Sequence, residues 1–151
     1  MLHVALWEPE IPPNTGNVAR LCAATDAVLH LIGRLGFRLD DRSLRRAGLD
    51  YWKDVDVRRH DTLTAFEAER GDDRVFCFSA RAATPYTAAR YQDGDCLLFG
   101  GESFGLPAEV RERYADRAVT IPMPAGKVRS LNLATAVGIA LYEVLRQVNG
   151  W

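Results

Sequence analysis

Cysteine is scarce and unpaired in this chain: Cys22, Cys77 and Cys96 lie far apart, and no C-x-x-C occurs. That excludes a disulfide framework and the common cysteine zinc sites. Each stands beside apolar neighbours and reads as an ordinary buried thiol, which is most simply explained by a cytoplasmic protein. Long apolar runs are also missing. The longest candidate, beginning at Leu131, is interrupted by Tyr142, Glu143, Arg146 and Gln147, so nothing reaches the roughly 18 residues of a spanning helix and no membrane contact is expected. Residues 2–13 lack a basic start, carry two glutamates and run into prolines, which argues against a signal peptide. Positive charge is not in excess: the net charge is −1, so any attraction to nucleic acid must come from a local patch. The dinucleotide fingerprint G-x-G-x-x-G is absent as well; after the first apolar run the sequence reads EPEIPPNTG, against a Rossmann-type dehydrogenase.

What is present suits one α/β domain. The 151 residues are 48% hydrophobic and 26% charged, enough for a substantial single core covering residues 1–151. Apolar runs at 2–8, 28–33, 74–79, 96–100 and 118–121 read as strands. Between them, helices are expected at 14–25 with Asn14 as cap, near 42–47, at 62–69, at 107–114 from Pro107, and at 132–149 before Gly150. This alternation predicts a mostly parallel sheet with helices on both faces. In the last helix, Ala136, Ile139 and Leu145 widen the apolar face made by Leu133, Val137, Ala140, Leu141, Val144 and Val148. Either a dimer contact or a thickly covered core helix accounts for that width.

Three segments could carry chemistry. Residues 11–23 place Asn14, Thr15, Gly16 and Asn17 where the first strand turns into a helix, with Arg20 a turn further on. The alternative is a capped helix with an incidental arginine. Residues 97–107 end a strand in Gly100 and Gly101, where a backbone can pass close to a ligand. Glu102 there could accept a ligand hydrogen bond or cap the helix after Pro107. Residues 121–143 put Arg129, Ser130 and Asn132 just ahead of a long helix; capping explains one of these residues but not all three. From Arg34 to Arg46, five arginines face only Asp40 and Asp41, which fits either an RNA contact or a solvated face.

Together, NTGNVAR, FGGESFGLP and IPMPAGKVRSLNLATAVGIALYE resemble the three motifs of the SpoU branch of the SPOUT methyltransferases, in order and at suitable separations. With EPEIPPNTGN, LRRAGLDYW and YQDGD, the whole chain is similar to the TrmL (YibK) group within it. The resemblance implies an α/β fold closed by a C-terminal deep trefoil knot, which general topology rules would not suggest. It also implies a homodimer using S-adenosyl-L-methionine, released as S-adenosyl-L-homocysteine, with no metal required. The implied reaction is 2′-O-methylation of the wobble cytidine or uridine, position 34, in the anticodon stem-loop of bacterial leucine tRNAs. The nearest alternatives are another tRNA or rRNA ribose, or a non-catalytic RNA-binding relative. Carried over, the cofactor would meet Phe78, Gly100, Gly101, Ile121, Met123, Ser130, Leu131 and Asn132. Arg20, Asn14, Asn17, Ser130 and Asn132 would serve catalysis, and Arg42, Arg45, Arg46, Lys127 and Arg129 would hold RNA. Gly101 and Phe104 depart from the family pattern, in which proline and a basic residue are common.

Overall fold

Five runs of Val, Leu, Ile and Phe alternate with helices, and their continuity, not a period-two pattern, marks strands covered on both faces. In the computed structural model, which describes residues 1–40, 42, 52–71 and 74–151, the strands are β1 (His3–Trp7), β2 (Val28–Ile32), β3 (Val57–His60), β4 (Val75–Phe78), β5 (Cys96–Gly100) and β6 (Ala118–Val119). The described helices longer than one turn are α1 (Pro12–Thr25), α2 (Leu63–Arg70), α3 (Ala108–Arg113) and α4 (Leu133–Asn149). The six strands form one sheet in the order β3-β2-β1-β5-β4-β6, parallel at every pairing.

Side chains alternate across this sheet into two cores. On one face Val4, Leu6, Leu29, Leu31, Leu97 and Phe99 pack with Val18 and Cys22 of α1 and Val137 and Leu141 of α4. On the other, Ala5, Ile32, Cys77 and Leu98 meet Phe66 of α2 and Val110 of α3. Helices therefore cover both faces, as the alternation of elements predicts. Among the described residues no helix is long and apolar enough to cross a membrane.

Several expectations change. Asn14 does not cap α1: Ile11 is the N-cap residue and prolines occupy the first helical positions. Proline has no N–H to lose there and its φ is already helical, so the helix starts two residues early. β3 was not anticipated, because an edge strand reading VRRH carries only one apolar side chain at its start. β6 stops at Val119; beyond it only an isolated bridge joins Thr120 to Pro85. The helix expected near 42–47, most of LRRAGLDYW, Arg45 and Arg46 lie outside the described residues.

The topology locates a crevice. After β1 the chain turns into α1 on one face, whereas after the neighbouring β5 it runs to Leu106 and Val110 on the opposite face. Where successive connections diverge like this, the carboxyl ends of the strands are left open to a ligand.

Candidate functional site

At that crevice the loops after β1 and β5 clasp each other through two carboxylates. Glu102 accepts hydrogen bonds from the backbone N–H of Glu10 at 2.9 Å and of Ile11 at 2.7 Å. It thereby holds the entry to α1 and does not cap the helix after Pro107, while also lining the cleft. Glu10 answers by accepting from the N–H of Ser103 at 3.1 Å and its hydroxyl at 2.7 Å. The approach is close enough to require glycine: a Cβ at Gly101 would stand 2.5 Å from the Glu8 carbonyl oxygen, and one at Gly100 would stand 2.2 Å from the Gly105 carbonyl carbon.

The third segment joins through Asn14. Its amide nitrogen donates to Glu102 at 3.2 Å, and its amide oxygen accepts from the Asn132 side chain at 3.0 Å. Asn132 in turn accepts from the Thr135 N–H at 3.1 Å, capping α4 as expected. One run of hydrogen bonds, Glu102 to Asn14 to Asn132, therefore ties together the ends of all three segments.

These loops enclose a cleft of about 620 Å³, within the ordinary span of small-molecule sites. Its floor includes Phe78 and Phe99, stacked with centroids 4.6 Å apart. Every residue expected on the cofactor side lines it: Phe78, Gly100, Gly101, Ile121, Met123, Ser130, Leu131 and Asn132. Asn14 and Arg129 line it too. Asn17, Arg20, Arg42 and Lys127 do not; all four are exposed. Arg20 follows Asn14 by six residues, about 9 Å along α1 at 1.5 Å per residue.

Sequence reading missed Arg81 and Arg111, which bring positive charge to the cleft, and the structural part of Glu10 and Ser103. No local pattern marks them, since their partners lie on other loops. Cys22 and Cys77 offer no ready nucleophile: burial pushes Cys22 up to about 12 and Cys77 up to about 11, and Cys96 is buried as well.

Residues 1–142 match the model of the SpoU rRNA Methylase family. The chain is 46% identical over 149 residues to the tRNA (cytidine(34)-2'-O)-methyltransferase of Escherichia coli K12, covering 98% of this chain and 94% of that protein. A solved structure described as giving insight into 2-OH methylation of C/U34 on tRNA superposes with a TM-score of 0.92 at 56% identity, over 100% of this chain and 98% of that one. The SpoU methyltransferase AviRb of Streptomyces viridochromogenes, solved in complex with AdoMet, matches with a TM-score of 0.82 at 25% identity, over 97% of this chain and 60% of its own.

Proposed function

The chain belongs to the SpoU rRNA methylase family and is a methyltransferase; from that premise we propose that it methylates the ribose 2′-hydroxyl of the wobble cytidine or uridine of leucine tRNAs, using S-adenosylmethionine. The observation that carries this reading is the run from Glu102 through Asn14 to Asn132, which gathers all three motifs around one cleft. The name of the Escherichia coli relative and the description of the C/U34 structure support the nucleotide assignment. The complex of AviRb with AdoMet supports the cofactor.

The residues present fit that cofactor. A flat apolar floor at Phe78 and Phe99, glycine backbone at Gly100 and Gly101, and main chain around Ile121, Met123 and Leu131 suit an adenosine without charged side chains. Asn14 and Asn132, each fixed by a second hydrogen bond, orient polar groups at the α1 side, with Ser130 two residues before Asn132 on the same segment and lining the same cleft. When bound, S-adenosylmethionine supplies an already electrophilic methyl group, so no metal or paired carboxylate is needed. The protein's work is to align the ribose oxygen with it and to ease loss of the hydroxyl proton.

Arg20 takes the RNA side. A guanidinium stays protonated in ordinary surroundings, so its role is to stabilise the forming alkoxide and clamp a phosphate, unless bound RNA perturbs it into a base. Because Arg20 and Asn17 lie outside the cleft lining of their own chain, they suit a composite site completed in a homodimer. Ile139 and Tyr142, exposed on α4 at 37% and 46%, support a second buried surface there. Arg42, Arg45, Arg46, Lys127 and Arg129 would then contact the anticodon stem-loop backbone. We read the chain as a single domain in the cytoplasm, and residues 121–132, which return from beyond β4 to α1, as the threaded part of a trefoil knot.

The test is to map ribose methyl groups in total tRNA with and without the protein, and to assay the purified chain on the same tRNA. Methylation at position 34 is expected to depend on the protein; unchanged wobble methylation overturns the assignment. Arg20→Lys is expected to lose most activity and keep cofactor binding, and normal methylation by that variant removes Arg20 from the reaction.

A further inference from the structure

Phe104 is 93% exposed, far more than any other large apolar side chain among the described residues, including the terminal Trp151 at 68%. The exposure is imposed by the turn that bears it. On one side Ser103 is held twice by Glu10. On the other the Gly105 N–H donates to the Gly101 carbonyl at 3.0 Å, with Gly105 at a φ of 64°. Glu102, the residue before Ser103, is fixed by the N–H groups of Glu10 and Ile11. The backbone is thus secured on both flanks of Phe104, and its ring stands in water at the rim of the cleft.

We infer that Phe104 is a stacking platform for an unpaired base of the RNA substrate, an inference that rests on the reading of the cleft as a ribose methylation site. Arg81, Arg111 and Arg129 line the same cleft. An exposed aromatic ring at the rim of a cleft that guanidinium groups also line suits single-stranded nucleic acid, with cations on the phosphates and the ring against a base. Phe104 offers neither charge nor a hydrogen bond, so it contacts the π-face and not the edge of the base. It therefore positions the strand whichever base is present. A ring on a rigid turn loses little freedom on binding, which favours such a contact over a mobile lysine or arginine.

The experiment compares wild type with Phe104→Ala, Phe104→Leu and Phe104→Trp on an anticodon stem-loop RNA. Alanine and leucine are expected to raise KM for RNA about tenfold, with kcat and cofactor affinity without RNA changing less than about twofold. Tryptophan is expected to restore KM, and its added fluorescence to be quenched as RNA binds. The inference is overturned if Phe104→Ala leaves KM unchanged, or if leucine serves as well as tryptophan, which would make the contact merely apolar. It is also overturned if Phe104→Ala instead dissociates the oligomer in sedimentation, which would assign the ring to a second copy of the chain. A wild-type protein that neither binds nor methylates the RNA overturns both this inference and the function beneath it, whereas an active wild type with an indifferent Phe104 overturns this inference alone.

Discussion

Acidification from about pH 7.5 to about pH 5 should weaken the fold by about 2 kcal/mol, mostly through one side chain. His30 lies in the middle of β2 with no exposed surface. Its Nε2 is 2.9 Å from His3 Nδ1 and its Nδ1 is 2.9 Å from His60 Nε2, so three imidazoles step across three adjacent strands. Phe66 meets the His30 ring edge-on at 5.3 Å. A proton added to His30 would lose its water and sit beside His3 and His60, and burial first, then those neighbours, lower its pKa from 6.5 to about 3. His60 is shifted the same way, by burial, with Glu69 opposing.

The sign follows from which state binds the proton. The unfolded chain takes it up as pH falls below about 6.5 while the folded chain refuses it until about 3. Stability is therefore fully present above the unfolded value and is lost progressively between the two. At about 1.36 kcal/mol per pH unit, the loss is roughly 2 kcal/mol by pH 5 and roughly 3 by pH 4. Carboxylates held low by arginine partners, such as Asp56 and Glu67, lose their contribution at lower pH and are largely solvent-screened. With a urea m-value of about 2 kcal/mol/M, the tryptophan-fluorescence midpoint should fall by about 1 M between pH 7.5 and 5. His30→Gln, which cannot titrate, should flatten that slope whatever it does to absolute stability. A midpoint that holds constant, or an unaltered slope in His30→Gln, would refute the reasoning.

Two substitutions test the clasp at the cleft. Glu102→Gln keeps the shape but removes the charge and turns an NH₂ toward groups that themselves donate; it is expected to lose about 2 kcal/mol in urea unfolding and to weaken cofactor binding by calorimetry, and wild-type values in both would show that the carboxylate is dispensable. Gly100→Ala places a methyl group 2.4 Å from the Leu106 nitrogen, so the turn must move; a loss of about 1–3 kcal/mol with at least about tenfold weaker cofactor binding is expected, and an unchanged thermal midpoint contradicts the close approach.

The parts of the fold that could be read in advance have local causes. β2 is apolar at nearly every position because it is buried on both faces, and Asn132 and Gly150 bound α4 by side-chain capping and a left-handed residue. β3 escaped because its ladder bonds pin an edge strand whose side chains look like a solvated loop. Asn14 was misread for a related reason: as a local signal it is a good cap, but proline chemistry started the helix earlier and freed its amide for Glu102 and Asn132. In the candidate site, the cofactor-side residues named from motif resemblance all reached one cleft, while Asn17 and Arg20 did not.

By itself the sequence determined most of the alternation of elements, the two ends of α4, the absence of a disulfide pattern and the three motifs, because propensity, capping and composition act over a few neighbouring residues. Only the tertiary structure decided that Glu102 would meet Asn14 across 88 positions and that Asn14 would meet Asn132 across 118. Those bonds depend on β1 and β5 lying side by side and on the chain returning from β6 to α1. Strand order of that kind is set by the burial of whole faces, and no residue carries it alone. The same holds for Phe104, apolar in any reading of the sequence, yet left in water by a turn whose anchors come from the other end of the chain.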